Sequence, residues 1–264
     1  MRAHHTAELS RRSFIAALFA ASGLPFVPST IRAAQSGAAW TESAFRKAEP
    51  IIDAVKRHPF ILGLADGTLP PPKFRFYLEE DLCYLVRYEE SLALLGKRLR
   101  ARGDERRSEE DARDAAQLAQ WAQDTRAEYD RVRALYEKRY GASPALDPSP
   151  AALFYSDFEH VHAAGPSLGA GMAALLPCFW VYAQAGRFIA SRMTLEGNPY
   201  REWIEWYGTP GFDAEVAKAA ALADRLATEA SEREREEMTA VFLKACRMEW
   251  MLWDAAWREA GWPV

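Results

Sequence analysis

Apolar residues recur along most of the chain at alternating steps of three and four, the spacing that gathers them on one face of an α-helix. From Thr41 onward nearly every segment carries this period, Gly/Pro loops separate the segments, and no run of alternating β-branched residues interrupts them. The pattern predicts a first helix over about 42–57, ending at His58-Pro59 because the residue before a proline is pushed out of helical geometry. A loop over 63–70 carries Asp66-Gly67-Thr68, and Pro70-Pro71-Pro72 open the next helix with their fixed φ. A charged helical stretch over about 108–140 has Leu118, Trp121, Val132 and Leu135 as its narrow apolar contacts, so its charges read as solvent-facing. Further helices are expected from Pro148-Ser149-Pro150 to near Gly165, around Cys178, over 200–207 behind Asn198-Pro199, over 212–228, and from a capping box at Ser231 and Glu234. The expected fold class is all-α, a single-domain helical bundle.

Three stripes carry an ionisable group where an apolar one is expected. Phe74, Tyr77, Asp81, Tyr84 and Tyr88 share one face, as do Gly171, Leu175, Cys178, Tyr182, Ala185 and Ile189, and Met238, Phe242, Ala245, Glu249, Leu252 and Ala256. A carboxylate buried without partners costs several kcal/mol, on the order of the desolvation of one charge, so Asp81 and Glu249 need a use. If the three faces meet in one core, two carboxyls and a thiol share a tyrosine-lined space, where their pKa values are driven apart into acid, base and nucleophile. In this arrangement Glu249 donates a proton, and hydrogen bonds from tyrosines keep Asp81 ionised. Pro177 is expected to kink or start its helix just ahead of Cys178, leaving free amides and a positive helix end that favour thiolate.

With 264 residues, 49% of them hydrophobic and 27% charged, the chain has material for one large core. A net charge of -4 without a clustered basic face excludes a nucleic-acid footprint. Residues 1–34 differ from the rest: Ser10-Arg11-Arg12-Ser13-Phe14-Ile15 leads into a short apolar run, as in a twin-arginine export signal. Its removal leaves 29 Lys and Arg against 36 Asp and Glu, net -7, an acidic periplasmic protein with no stable membrane insertion. Cys83, Cys178 and Cys246 are an odd number, so at least one thiol stays free. Cys83 neighbours Tyr84 in sequence, and approach to Cys178 would permit a silencing disulfide; plain burial is the competing reading. Asp157 and Glu159 each precede a histidine by three, His160 and His162, but no matching Glu/His pair exists elsewhere, so no metal site is expected.

Several stretches together resemble the TenA family, thiaminase II or aminopyrimidine aminohydrolase. They are His58-Pro59-Phe60 with Asp66-Gly67-Thr68-Leu69-Pro70, Phe76-Tyr77-Leu78 through Asp81 to Tyr84, Pro148-Ser149-Pro150, Leu175-Leu176-Pro177-Cys178-Phe179-Trp180 with Tyr182, Trp203-Ile204 with Tyr207-Gly208, and Glu249 with Trp253. The similarity runs over about 39–262. It implies a haem-oxygenase-like helical fold, a homotetramer and no cofactor. Residue by residue it implies Cys178 as nucleophile, Glu249 as proton donor, Asp81 as substrate contact, and Tyr182 and Tyr207 as substrate-binding tyrosines. Tyr84 falls where the family has an aromatic thought to sharpen the cysteine, and Tyr155 matches a further pocket tyrosine. The implied reaction is hydrolytic release of the substituent on the pyrimidine methylene of thiamine or of 4-amino-5-aminomethyl-2-methylpyrimidine. Two other classes are weighed against it: a periplasmic thiamine or pyrimidine binder without turnover, and a cofactor-free oxidase on the same scaffold. The presence of every catalytic position argues against the binder.

Overall fold

Across the residues that the computed structural model describes (39–102, 108–144, 146–193, 196–207 and 210–264), the three-four period is realised as nine α-helices with no strand. They are α1 (Trp40–Lys56), α2 (Pro59–Asp66), α3 (Pro71–Arg100), α4 (Ser108–Tyr140), α5 (Pro150–Ala164), α6 (Leu168–Arg192), α7 (Arg201–Tyr207), α8 (Pro210–Glu229) and α9 (Glu232–Arg258). The export signal expected over 1–34 lies outside the described residues.

Helix α6 is the axis of the bundle. It packs against α1, α2, α3, α5, α7, α8 and α9, while α4 lies along α3. By length and composition α6 is apolar enough to cross a membrane, but its residues are buried by these neighbours and it serves as a core helix. Close approach depends on small side chains. At Gly171 an added Cβ would stand 3.0 Å from Leu95 Cδ1 on α3 and 3.1 Å from the His162 carbonyl on α5.

Two expectations are corrected at the start of the chain. Pro59 does not merely end α1; it occupies the first turn of α2, where its missing N–H has no intrahelical partner to lose. His58 caps that helix by accepting from the Phe60 amide at 3.2 Å, and the loop expected over 63–70 shrinks to 67–70 behind Gly67, a left-handed cap at φ 70°. Asn198 fixes the entry to α7 from both sides: its side-chain oxygen accepts from the Tyr200 amide at 2.8 Å, and its amide donates to the Leu64 carbonyl at 2.9 Å.

The stripes on α3, α6 and α9 are inward-facing as spaced, and the Ser231–Glu234 capping box forms. Leu118, Trp121, Val132 and Leu135 of α4 are buried, but the expectation that all its charges face solvent fails at Asp111. That carboxylate is buried because it bridges Arg102 at 3.2 Å and Arg225 at 3.0 Å, tying α4 to α8. Buried Glu80 on α3 takes the Ser149 amide at 3.1 Å and its hydroxyl, which anchors the start of α5.

The tight seam at Gly171 gives the first prediction. Gly171→Ala forces α6 off α3 and α5, and overpacking of this kind costs about 1–3 kcal/mol. Thermal unfolding checks it: a melting temperature lower by several degrees is expected, and an unchanged one means that the seam yields freely.

Candidate active site

The three anomalous stripes meet. The charge of Glu249 on α9 acts on both Cys178 on α6 and Asp81 on α3, which places one residue from each helix in a common neighbourhood. Asp81 and Glu249 are 3% and 1% exposed, whereas Cys178 keeps partial access in an otherwise buried stretch of α6.

Tyrosines form the wall. Tyr155 of α5 stacks on Tyr84 of α3 with ring centres 5.0 Å apart, and Tyr84 stacks on Tyr88 at 5.4 Å. Tyr155 donates to Glu249 Oε1 at 2.7 Å, Tyr84 to Glu159 Oε1 at 3.0 Å, and Tyr88 to the Leu175 carbonyl at 3.0 Å. Tyr182, one turn past Cys178, shares a 2.9 Å hydrogen bond with Tyr77 and packs on Trp253 with ring centres 5.4 Å apart. Beyond Tyr182 a narrow recess opens between Ile61, Ala185, Trp203, Ile204 and Trp253, with room for about one water molecule. Its lining begins one turn from Cys178 and does not include the sulfur. Tyr207 closes α7, and its side chain lies outside the described residues.

Burial dominates the electrostatics. It pushes the Cys178 thiol well above the usual thiol range, and the charges of Glu249 and Glu159 add to the shift, opposed by a hydrogen bond from Tyr84. The expectation of a thiolate at a helix end is therefore overturned. Helix α6, capped by Ser167, begins at Leu168 and runs unbroken through Pro177, so Cys178 sits in mid-helix, away from the positive end. Glu249 is raised to about 8 by burial, partly countered by the Tyr155 hydrogen bond, so it is largely protonated at neutral pH. Asp81 is raised well above the carboxylate range by burial, then by Glu128 and Glu249. Among the described residues no tyrosine hydrogen bond to Asp81 is found: Tyr77 and Tyr182 bond to each other, and one Asp81 oxygen is buried without a partner.

Two acids escaped the sequence reading. Glu159 of α5, weighed only beside His162, is fully buried in the tyrosine wall. Its signal was Tyr155 four residues earlier, one turn away on the same face. Glu128 of α4, partly buried, puts its charge on Asp81 from a helix taken as solvated. The histidines go elsewhere: His160 Nδ1 meets the Ser91 hydroxyl at 3.1 Å, and Asp157 pairs with Arg87 at 3.2 Å. Among the described residues no cluster of three or more His, Cys, Asp or Glu suits a metal ion. The Cys178 thiol and Cys83 do not form a disulfide, and the charges on Cys83 come from Glu80, Asp147, Glu79 and Asp81, with burial first in raising it to about 12.

The raised Glu249 carries a stability consequence. An unfolded glutamate releases its proton near 4.5 and the folded one near 8, so this group's contribution is present below about 4.5 and lost as pH rises through about 8. Glu249→Gln, which stays neutral, is expected to melt higher than the wild type by a margin that grows from pH 5 to pH 8 (roughly either end of that window). Thermal melts at both pH values check this; a margin that is constant or shrinks contradicts the buried acid as described.

Comparison with known proteins matches residues 45–259 to the TENA/THI-4/PQQC family. An aminopyrimidine aminohydrolase of Halalkalibacterium halodurans is 31% identical over 83% of this chain and 96% of its own. A TenA homologue from P. horikoshii OT3 superposes with a TM-score of 0.70 at 26% identity, over 83% of this chain and 99% of that one. At 13% identity, a domain described as having a heme oxygenase-like fold, from Shewanella denitrificans, superposes with a TM-score of 0.59 over 83% of this chain and 92% of its own, and so shares the fold. The chain spans 29% of the length of a multifunctional thiamine biosynthesis protein of Corynebacterium efficiens that it matches at 29% identity. With the matched region covering most of the chain and the same all-helical fold in the solved relatives, the chain belongs to the TENA/THI-4/PQQC family.

Proposed function

We propose that the chain is a hydrolase of the thiaminase II type. It releases the substituent from the exocyclic methylene of an aminopyrimidine, either thiamine or 4-amino-5-aminomethyl-2-methylpyrimidine, to leave the hydroxymethyl pyrimidine. The observation that carries the reading is the pairing of a partly accessible thiol with an acid that still holds its proton at neutral pH, Cys178 with Glu249. The name of the Halalkalibacterium halodurans relative supports the same substrate class.

In this mechanism the Cys178 sulfur loses its S–H proton to water and forms a bond to an electron-poor ring carbon while Glu249 delivers its proton to the ring. The substituent then leaves the methylene with the electrons of its bond, as the neutral thiazole or, from the ammonium form, as the neutral amine. Water adds to the methylene and releases a proton, Glu249 takes back the proton it lent to the ring, the carbon–sulfur bond breaks and the sulfur regains a proton, restoring the thiol. Asp81, raised and partly unsatisfied, offers a carboxyl for the ring amino group, and Tyr155, Tyr182 and Tyr207 supply faces and hydroxyls around the ring. Asp81 thereby exchanges an unmade hydrogen bond for one to substrate. The export expected from residues 1–34 would place this activity in the periplasm.

Cys178→Ser tests the scheme. Turnover of the aminomethyl pyrimidine is expected to fall by several powers of ten, on the order of what covalent catalysts lose with their nucleophile, with KM changed far less. A serine variant that keeps near wild-type kcat would falsify covalent catalysis by this residue.

A further inference from the structure

Hydrogen bonds cross between α3 and α6 on either side of the reacting groups. Tyr77 and Tyr182 meet hydroxyl to hydroxyl at 2.9 Å, and Tyr88 donates to the Leu175 carbonyl at 3.0 Å. These pairings run in opposite senses along the two helices, as does the approach of Leu95 to Gly171, so α3 and α6 are antiparallel. Between the two bonds lie Asp81, one turn past Tyr77 on α3, and Cys178, one turn before Tyr182 on α6. The register thus brings the carboxyl and the sulfur to one level of the bundle.

Tyr77 has no part in the mechanism above, yet it is fully buried at this junction. Its ring is enclosed by Phe60 with centres 5.2 Å apart, by Phe74 at 6.3 Å and by Trp203, edge-on, at 5.5 Å. Among the described residues the Tyr77 hydroxyl has one hydrogen-bond partner, the Tyr182 oxygen. A buried phenol whose proton is unbonded has lost its bond to water with nothing in return, so the proton in the 2.9 Å contact is that of Tyr77. Tyr182 accepts there, and its own proton points away from Tyr77.

We propose that Tyr77 is a positioning residue for substrate binding, which by donating to Tyr182 turns the Tyr182 hydroxyl outward as a donor to the pyrimidine ring. The inference rests on the reading of Tyr182 as a substrate contact. A pyrimidine ring nitrogen offers a lone pair and no proton, so it is recognised by a donor. Trp253 packs on the Tyr182 ring with centres 5.4 Å apart, which leaves the O–H rotor for Tyr77 to set. A donor already oriented in the empty site binds more tightly than one that substrate must first turn.

The experiment is a double-mutant cycle over Tyr77→Phe, Tyr182→Phe and the pair, in the full chain. Calorimetry measures Kd for 4-amino-5-hydroxymethyl-2-methylpyrimidine, steady-state kinetics on the aminomethyl pyrimidine measures kcat and KM, and thermal melts measure stability. Tyr77→Phe removes one oxygen and keeps the ring among its aromatic neighbours. It is expected to raise Kd and KM together by about five- to tenfold, the scale of one hydrogen bond, with kcat within about twofold of wild type. Tyr182→Phe should lose as much or more. The double variant should lose no more than Tyr182→Phe, because Tyr77 acts only through that hydroxyl.

Unchanged Kd and KM in folded Tyr77→Phe overturn the proposal even if the melting temperature falls, since a bond that only joins helices moves the melt alone. Losses that multiply in the double variant overturn it as well. Should Tyr77→Phe not fold, Tyr182→Phe decides: product bound as tightly as by wild type overturns the proposal, and a loss of about fivefold or more with kcat kept upholds it. Because product binding needs no turnover, the two readings fail separately. Wild type that turns over substrate while Tyr77→Phe behaves identically removes the role of Tyr77 alone. Wild type that binds the hydroxymethyl pyrimidine through Tyr77 but forms none from either substrate leaves that role standing and removes the hydrolase.

Discussion

Withdrawal of ionisable groups from water governs this protein. Asp81, Glu159 and Glu249 lie at or below 3% exposure in a wall of phenols, and desolvation is the first cause of the upward shift in each. Among the described residues no ion pair neutralises them in the manner of Asp111, which sits between Arg102 and Arg225 in the same molecule. The contrast separates two uses of a buried acid. Asp111 is ion-paired and joins helices; the site acids are raised by burial instead, a cost in stability of the kind a fold retains for chemistry.

The helical scaffold makes that arrangement possible by holding long, rigid elements in close contact. Helix α6 runs through the middle because Gly169 and Gly171 let Met238 on α9 and Leu95 on α3 come near, and Cys178 follows two turns after Gly171. Glu80 fixes the start of α5 through Ser149, one and two-thirds turns before Tyr155. The wall of Tyr88, Tyr84 and Tyr155 is thus set by two helices whose relative position is pinned at a buried polar contact rather than by apolar packing alone.

Much of this was legible in the sequence, for definite reasons. A helix repeats every 3.6 residues, so the stripes carrying Asp81, Cys178 and Glu249 announced both their helices and their inward direction. What periodicity lacks is the third dimension. The local effect of Pro177 points to a kink or a start of its helix, whereas neighbours on several sides hold α6 continuous through it. Burial then outweighed the helix end and turned an expected thiolate into a protonated thiol. Glu159 and Glu128 were missed because each lies among other charges, and only tertiary contact distinguishes a buried acid from a solvated one. Pro59 has two compatible meanings, the end of one helix and the start of another, and here both apply.

If thiol and acids surround one pyrimidine, the bound product must cover the sulfur. Peptide mapping of thiol labelling, with and without saturating 4-amino-5-hydroxymethyl-2-methylpyrimidine, asks this of all three cysteines at once. The account predicts that the ligand shields Cys178 and leaves the labelling of Cys83 unchanged. Unprotected Cys178 at saturation, with the pyrimidine shown to be bound, would place the ligand elsewhere and contradict the site.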